Sequence, residues 1–133
     1  MAAKTAHQKL WRAAREARKR AHAPFSTFKV GAALETLDGE IISGCNVENA
    51  TYGLTVCAER VALFKAISEG KKKFTRVCIV TDTAKPTSPC GACRQLLWEF
   101  GGNLDVVMGN LGGVLKETTM RDLFPMPFDE ESL

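Results

Sequence analysis

Three cysteines and one glutamate, in two short segments, form the group of side chains in this sequence best suited to chemistry. The first segment is Cys57-Ala58-Glu59-Arg60 and the second is Pro89-Cys90-Gly91-Ala92-Cys93-Arg94-Gln95. Cysteine thiolates are soft ligands, and Zn²⁺ is the metal that proteins most often hold with them. The sequence therefore predicts one Zn²⁺ per chain, bound by Cys57, Cys90 and Cys93.

Glu59 follows Cys57 by two positions, and this spacing favours a catalytic zinc site. Positions i and i+2 point to different sides of a regular helix, but at a helix start both side chains can project around its end. Glu59 can then approach a water molecule on the metal without being a ligand, and it is predicted to act as the general base and acid. The ordinary alternative is a carboxylate that stabilises the positive end of the helix dipole.

A fourth protein ligand would close the zinc site and make it structural, whereas three leave a position for water. Cys45 ends a predicted strand and stays open as that fourth ligand. Cys78 lies within a strand and is expected to pack as a small apolar residue, while His7 and His22 are expected at the surface. A C-x-x-C pair alone is also typical of a redox dithiol. A zinc-stabilised binding protein without catalysis is thus the alternative.

Arg60 and Arg94 each adjoin a predicted ligand. Three thiolates around Zn²⁺ leave a net negative charge, which a guanidinium that donates to a sulfur atom would offset. We therefore expect both arginines to support the metal site, with simple surface solvation as the alternative.

Composition indicates one soluble globular domain over residues 1–133, since 45% of the residues are hydrophobic and 25% are charged. No apolar run has the roughly 18–20 residues of a membrane span, and no apolar secretory signal begins the chain, so a cytoplasmic protein without a membrane partner is expected. The odd count of five cysteines argues against a disulfide framework. A net charge of +3 is too small to indicate a nucleic-acid partner.

Basic residues do cluster between residues 9 and 20. We interpret this cluster as the solvated face of a first helix, whose other face carries Leu10, Trp11, Ala14, Ala17 and Ala21. An RNA-binding stripe or an organelle address are the alternatives.

Hydrophobic periodicity and turn residues predict nine elements. Helices are expected at about residues 4–22, 57–68, 90–100 and 120–124, and strands at 28–35, 40–47, 74–81, 104–108 and 114–117. Pro24 is expected to end the first helix, and Asp38-Gly39 predicts a hairpin. The connection between the last two strands is too short for a parallel crossover. The predicted fold is α/β, a three-layer α/β/α sandwich with a mixed five-stranded sheet.

Both cysteine segments lie where a predicted helix begins after a loop. Backbone N–H groups and the helix dipole favour thiolate over thiol at such positions. Two helix starts at one edge of the sheet would bring the three predicted ligands together.

These segments resemble the zinc deaminase signature, which combines a non-ligating Glu with a later Pro-Cys-x-x-Cys. Over about residues 23–128 the chain is similar to the small homotetrameric cytidine deaminases of pyrimidine salvage. The matching segments are Phe28–Leu34, Asn46–Ala50, Cys57–Leu63 and Ser88–Gln95. The resemblance implies a cytidine deaminase-like fold and a nucleoside substrate. It also implies zinc-dependent hydrolysis of cytidine and deoxycytidine to uridine and deoxyuridine, with release of ammonia.

The same resemblance implies four substrate contacts within the chain. Phe28 would pack against the pyrimidine ring, Asn46 and Glu48 would hydrogen-bond the ribose hydroxyls, and Ala58 would also contact the substrate. An aromatic face suits stacking, and an amide with a carboxylate suits a sugar diol. Taken alone, the same residues would be interpreted as a core phenylalanine and turn-forming polar residues.

The resemblance further implies a homotetramer in which neighbouring subunits help to close each active site. Tyr52 and Phe128 match positions implicated in that closure, although Phe128 could equally be a local hydrophobic plug. Related enzymes that deaminate a nucleoside antibiotic or another modified cytosine are a competing expectation. A polynucleotide deaminase is disfavoured by the short chain and its small net charge.

Overall fold

A computed structural model describes residues 2–129 and 131, so four residues of the predicted 1–133 domain (Met1, Glu130, Ser132 and Leu133) lie outside the description. The helices are α1 (Ala2–Arg18), α2 (Ala58–Ser68), α3 (Gly91–Gly101) and α4 (Met120–Leu123). The strands are β1 (Val30–Thr36), β2 (Ile41–Cys45), β3 (Phe74–Thr81), β4 (Asp105–Asn110) and β5 (Leu115–Thr119). In the described part of the chain, no helix is both long and apolar enough to span a membrane.

The five strands form one mixed sheet in the order β2-β1-β3-β4-β5. Strand β1 is antiparallel to β2 and β3, β3 is parallel to β4, and β4 is antiparallel to β5. The β1–β2 hairpin turns where predicted, and Gly39 has a φ of 91°, which glycine adopts without strain. The antiparallel pairing predicted for the last two strands is confirmed.

Alternate residues of the sheet face two different helical layers. Along β3, Val77 and Ile79 belong to the core beneath α2 and α3, whereas Cys78 and Val80 pack in the core beneath α1. This alternation is the period-2 pattern of a strand buried on both faces. The predicted three-layer sandwich with a mixed five-stranded sheet is therefore confirmed.

The first helix is shorter than predicted, because α1 ends at Arg18 and not near residue 22. Beyond it, the His22 N–H donates to the Asn46 carbonyl at 3.0 Å, and the Glu48 N–H donates to the His22 carbonyl at 2.7 Å. This bridge requires non-helical backbone at His22. Tertiary pairing with residues 46–48 therefore ends the helix before Pro24 can do so, and the prediction that proline ends it was wrong.

His7 is buried at 7% exposure, so the predicted surface position was wrong for this residue. Its Nδ1 atom lies 2.7 Å from Glu117 Oε1 on β5. The spacing of His7 from the buried residues Leu10 and Ala14 places all three on one helical face, which packs on the sheet. His22, by contrast, is exposed as expected.

Close packing holds α2 against β2 beneath the cysteine segments. A Cβ atom added to Gly44 would lie 2.6 Å from the Ala62 backbone nitrogen, a distance that no side chain tolerates. Glycine at this position therefore lets α2 approach the strand and sets the height of its N-terminal end over the sheet.

Candidate active site

Cys57 and Cys90 are the N-cap residues of α2 and α3, so each helix begins one residue later than predicted. Both have extended backbone, with φ and ψ of −70° and 154° at Cys57 and −67° and 167° at Cys90. Neither sulfur caps its own helix. Both sulfur atoms therefore stay available to a group outside the helices, at the positive end of two helix dipoles.

The two helix starts bring three sulfur atoms together. The Sγ atoms of Cys57, Cys90 and Cys93 all lie within 4.8 Å of one another, and those of Cys90 and Cys93 are 3.4 Å apart. Three sulfurs bound tetrahedrally at about 2.3 Å from Zn²⁺ would be about 3.8 Å apart, so this spacing fits the ion. Among the side chains described, no fourth Cys, His, Asp or Glu joins the group, and Cys45 lies outside it.

The thiols of Cys57 and Cys93 differ in their pKa values. A hydrogen bond from Cys93, reinforced by one from Arg60, lowers the pKa of Cys57 to about 5. The same Cys57–Cys93 hydrogen bond, together with burial, raises the pKa of Cys93. One thiolate thus opposes the ionisation of its neighbour, and only a cation can hold several thiolates together here. The donor set therefore fits a divalent, thiolate-binding metal.

Arg60 and Arg94 make different contacts, although the sequence suggested one role for both. Arg60 Nη2 donates to Cys57 Sγ at 3.4 Å, the type of contact that was expected. Arg94 instead donates from Nε to the Pro89 carbonyl at 2.9 Å, from Nη1 to the Leu123 carbonyl at 2.9 Å and from Nη2 to Ser88 Oγ at 2.8 Å. All three Arg94 groups are directed at oxygen atoms, so this arginine braces the loop before Cys90 and does not reach a sulfur.

Glu59 lies in the first turn of α2 and is 5% exposed. Burial raises the pKa of its carboxyl group above the usual value. A carboxyl group placed in a low-dielectric site in this way can both accept and return a proton. Its side chain is one of those that line a cavity beside the sulfur group.

That cavity has a volume of about 300 Å³, at the lower end of the range for small-molecule pockets. It opens between the start of β1, the loop between β2 and α2, the N-terminal end of α2, the C-terminal end of β3 and the loop before α3. The lining residues are Ser26, Phe28, Val30, Asn46, Glu48, Thr55, Cys57, Ala58, Glu59, Ile79, Thr81, Thr87, Ser88 and Cys90. A small organic ligand in this cavity would contact Glu59 and two of the three clustered cysteines.

Glu48 is fixed at the wall of the cavity by the segment that follows α1. Its Oε1 accepts the N–H groups of Phe25 at 2.9 Å and Ser26 at 3.1 Å, and its Oε2 accepts the Ser26 hydroxyl. These hydrogen bonds, chiefly that from the Ser26 hydroxyl, hold the pKa of Glu48 below its usual value. A carboxylate has about four acceptor positions, so Glu48 keeps capacity for a ligand hydroxyl.

Asn46 is 8% exposed and holds the backbone at the start of β1. Its Oδ1 accepts the Val30 N–H at 2.9 Å, and its Nδ2 donates to the Phe28 carbonyl at 2.8 Å. An Asn side chain has two N–H donors and two acceptor positions, so one of each is left for a ligand. Phe28 also lines the cavity and is 42% exposed, and Ala58 is a further lining residue.

Tyr52 and Phe128 do not line this cavity. Tyr52 is 66% exposed, and its ring meets that of Phe25 edge-on at a centroid distance of 5.1 Å. Phe128 is 60% exposed, so within its own chain it does not act as a hydrophobic plug. Neither residue therefore belongs to the wall of this cavity.

Sequence reasoning missed several hydroxyl residues of the cavity wall: Ser26, Thr55, Thr81, Thr87 and Ser88. Thr81 and Thr87 are joined through their hydroxyl groups and Thr83. The useful signal was position, since each of these residues lies at the end of a predicted strand or within two residues of a predicted strand or a cysteine segment. Serine and threonine are too common in loops for their type alone to indicate a site.

Comparisons with known proteins agree with this geometry. Residues 4–110 match the family described as the cytidine and deoxycytidylate deaminase zinc-binding region. The chain is 48% identical over 127 residues to a cytidine deaminase of Sporosarcina psychrophila, covering 95% of this chain and 93% of the relative. It is also 48% identical to a cytidine deaminase of Halalkalibacterium halodurans, covering 95% and 96%.

The fold is similar to that of a solved relative as well. The crystal structure of cytidine deaminase from Burkholderia pseudomallei superimposes with a TM-score of 0.89 at 50% identity, covering 92% of this chain and 98% of that one. Because sequence, fold and a cysteine group able to bind zinc all agree, the chain belongs to the cytidine and deoxycytidylate deaminase zinc-binding family.

Proposed function

We propose that the protein is a zinc-dependent cytidine deaminase that hydrolyses cytidine and deoxycytidine to uridine and deoxyuridine. The observation that carries this proposal is the position of Glu59, which is buried at the wall of a cavity that also exposes Cys57 and Cys90. A proton-transfer group beside a metal site in a pocket is the arrangement that hydrolytic deamination needs. The family membership of the chain supports the same reaction.

Cys57, Cys90 and Cys93 would hold the zinc ion, and Arg60 would offset their negative charge through its hydrogen bond to Cys57. When bound, zinc supplies Lewis-acid activation of a water molecule. Arg94 would hold the loop before Cys90 through its contacts with the Pro89 carbonyl and Ser88. It would thus support the metal site indirectly.

Glu59 would move the protons of the reaction. As the oxygen of water bonds to C4 of the cytosine ring, Glu59 accepts one proton from that water and delivers it to ring N3. The carboxylate then takes the remaining hydroxyl proton and passes it to the exocyclic amine. The C4–N bond breaks, ammonia leaves and C4 keeps the oxygen as a carbonyl, so one water enters for each ammonia released.

The cavity wall would provide recognition of the nucleoside. The exposed face of Phe28 would stack on the pyrimidine ring, while Asn46 and Glu48 would bind the sugar hydroxyls with the donor and acceptor positions that they retain. The small side chain of Ala58 would leave room for the ring. These residues fit a single nucleoside better than a chain of nucleotides, because the cavity holds only about 300 Å³.

The proposed assembly is a homotetramer in which Tyr52 and Phe128 help to close the sites of neighbouring subunits. Both rings are largely exposed and do not line the cavity of their own chain. Such exposure is expected of aromatic residues that contact a neighbouring subunit. We further propose that residues 1–133 act as one domain in the cytoplasm. The reaction would serve pyrimidine salvage.

Turnover of cytidine tests the function directly. Purified protein is expected to lower the ultraviolet absorbance of cytidine as uridine forms, to release one ammonia per turnover and to contain about one zinc per chain. Deoxycytidine and a cytosine-containing nucleoside antibiotic are compared on the same preparation. Turnover of the antibiotic without turnover of cytidine would replace this proposal with the competing deaminase, and zinc without any turnover would indicate a binding protein.

A further inference from the structure

Two consecutive side chains of α3 hold the C-terminal segment next to the metal motif. Arg94 donates to the Leu123 carbonyl at 2.9 Å. Gln95 pairs with the backbone of Phe128: its Nε2 donates to the Phe128 carbonyl, and its Oε1 accepts the Phe128 N–H at 3.3 Å. The first turns of α3, which carry Cys93, therefore also hold the C-terminal segment at Leu123 and at Phe128.

Gln95 fixes the backbone of Phe128, and its hydrogen bonds do not involve the Phe128 ring. The Phe128 ring is 60% exposed, and the neighbouring Met126 is 90% exposed. Pro125 and Pro127 restrict the backbone on either side of Met126. The segment is thus stiff, anchored at both ends to α3, and presents its ring to the exterior of the subunit.

Ordering an exposed segment costs conformational entropy of about 1–2 kcal/mol per residue, which hydrogen bonds in contact with water only partly offset. Such an arrangement is useful when the ordered ring has a binding partner. That partner is not the cavity of the same chain, because residues 123–129 do not line it. In the homotetramer proposed above, which the resemblance to the small cytidine deaminases implies, the nucleoside cavity of a neighbouring copy would be that partner.

We infer that Gln95 is a positioning residue that holds the Phe128 ring ready for the nucleoside cavity of a neighbouring subunit. This inference rests on the proposed function and on the proposed assembly. Gln95 does not touch the substrate in this scheme; it acts through Phe128 and thereby favours nucleoside binding. Its effect should therefore fall on KM, while proton transfer by Glu59 and metal binding are unaffected.

A double-mutant cycle tests the inference. Gln95→Met keeps the length of the side chain but removes both hydrogen bonds, and it is expected to raise the KM for cytidine about three- to tenfold at unchanged kcat and zinc content. Phe128→Ala should raise KM at least as much. Adding Gln95→Met to Phe128→Ala should then have no further effect, because the ring that Gln95 positions is already gone. Gln8→Met, on the exposed side of α1, is the matched control.

A mixed oligomer shows whether the effect crosses the subunit boundary. Gln95→Met chains are co-expressed with Glu59→Gln chains. The Gln95→Met chain keeps its Glu59, and a neighbouring Glu59→Gln chain can supply that site with an intact Gln95–Phe128 pair. The mixed oligomer should recover part of the low-KM activity that the Gln95→Met protein lacks. Recovery at the KM of pure Gln95→Met protein would overturn the inference.

The other outcomes are also decisive. An unchanged KM in Gln95→Met, effects of the two substitutions that multiply, or a loss of kcat or zinc at constant KM would each overturn the role of Gln95 alone. Absence of cytidine turnover by the wild-type protein would overturn the proposed function, and the positioning role with it.

Discussion

Asn46 Nδ2 donates to the carbonyl oxygen of Phe28 at 2.8 Å. The amide that is predicted to bind the sugar therefore also holds the backbone of the residue that is predicted to stack on the pyrimidine ring. The same side chain accepts the Val30 N–H at 2.9 Å, at the point where β1 begins. In the proposed function, one side chain would therefore support recognition of both the sugar and the pyrimidine ring. A change at Asn46 should affect the shape of the cavity as well as the hydrogen bonds within it.

Asn46→Ala is expected to raise the KM for cytidine and to lower the free energy of unfolding by about 1–3 kcal/mol, because it leaves two backbone groups near the cavity without partners. Thermal unfolding and steady-state kinetics measure both effects. Asn103→Ala is the control, since Asn103 also accepts a backbone N–H, from Arg121, but lies outside the cavity. If Asn46→Ala keeps both stability and KM, the bracing role of this amide is wrong.

Glu59→Gln should retain fold and zinc but reduce kcat by at least about 10²–10⁴-fold, the usual contribution of acid–base catalysis. The amide has nearly the same shape but cannot accept and return a proton. Circular dichroism, zinc content and cytidine turnover are measured on one sample. Glu69→Gln, at the exposed C-terminal end of the same helix, should keep full activity. Near-normal turnover by Glu59→Gln would remove Glu59 from the mechanism.

The structural features of the site that depend on local sequence were predicted correctly. Cys57 and Cys90 lie at helix starts, since loop residues and then apolar periodicity mark those boundaries. The grouping of these cysteines with Cys93 follows from the sheet topology. Strands β2 and β3 are both antiparallel to β1, so the connections that follow them and lead to α2 and α3 leave the same edge of the sheet. Helix starts and strand alternation are local signals, which is why they could be read without a structure.

The errors share one physical cause, namely contacts between residues distant in sequence. The bridge of His22 with residues 46–48 ends α1 early, and Glu117 on β5 gives the buried His7 a partner. Arg94 reaches Leu123, which lies 29 residues away. Spacing along one element cannot reveal partners of this kind, so the metal neighbour Arg60 and the loop brace Arg94 looked alike in the sequence.

Substitution of single cysteines should separate metal ligands from other cysteines. Cys57→Ser, and likewise Cys93→Ser, is expected to lose most of the bound zinc, because each removes one of three thiolates. Cys45→Ser should keep about one zinc per chain, since Cys45 lies outside the group. Elemental analysis after dialysis measures the stoichiometry. Loss of zinc from Cys45→Ser would instead indicate a closed site with four cysteines.

The buried thiol of Cys78 should make the free energy of unfolding depend on pH in the alkaline range. It lies in the apolar core beneath α1, and burial raises the pKa of its thiol to about 12. In the unfolded chain a cysteine titrates near pH 8.5. Between about pH 8.5 and 12 the folded state therefore keeps a proton that the unfolded state loses. The stabilisation that comes from the neutral thiol is complete below about pH 8.5. Above that pH the free energy of unfolding falls by at most about 1.4 kcal/mol per pH unit.

Cys78→Val removes this titration while keeping an apolar side chain in the core. Urea unfolding of both proteins at pH 7.5, 9 and 10 should show a smaller loss of unfolding free energy for the variant as the pH rises. The comparison cancels the titration of lysines and of the other cysteines, which are common to both proteins. Parallel stability curves over this range would show that the Cys78 thiol ionises as readily in the fold as in the unfolded chain, and that its burial does not hold the proton.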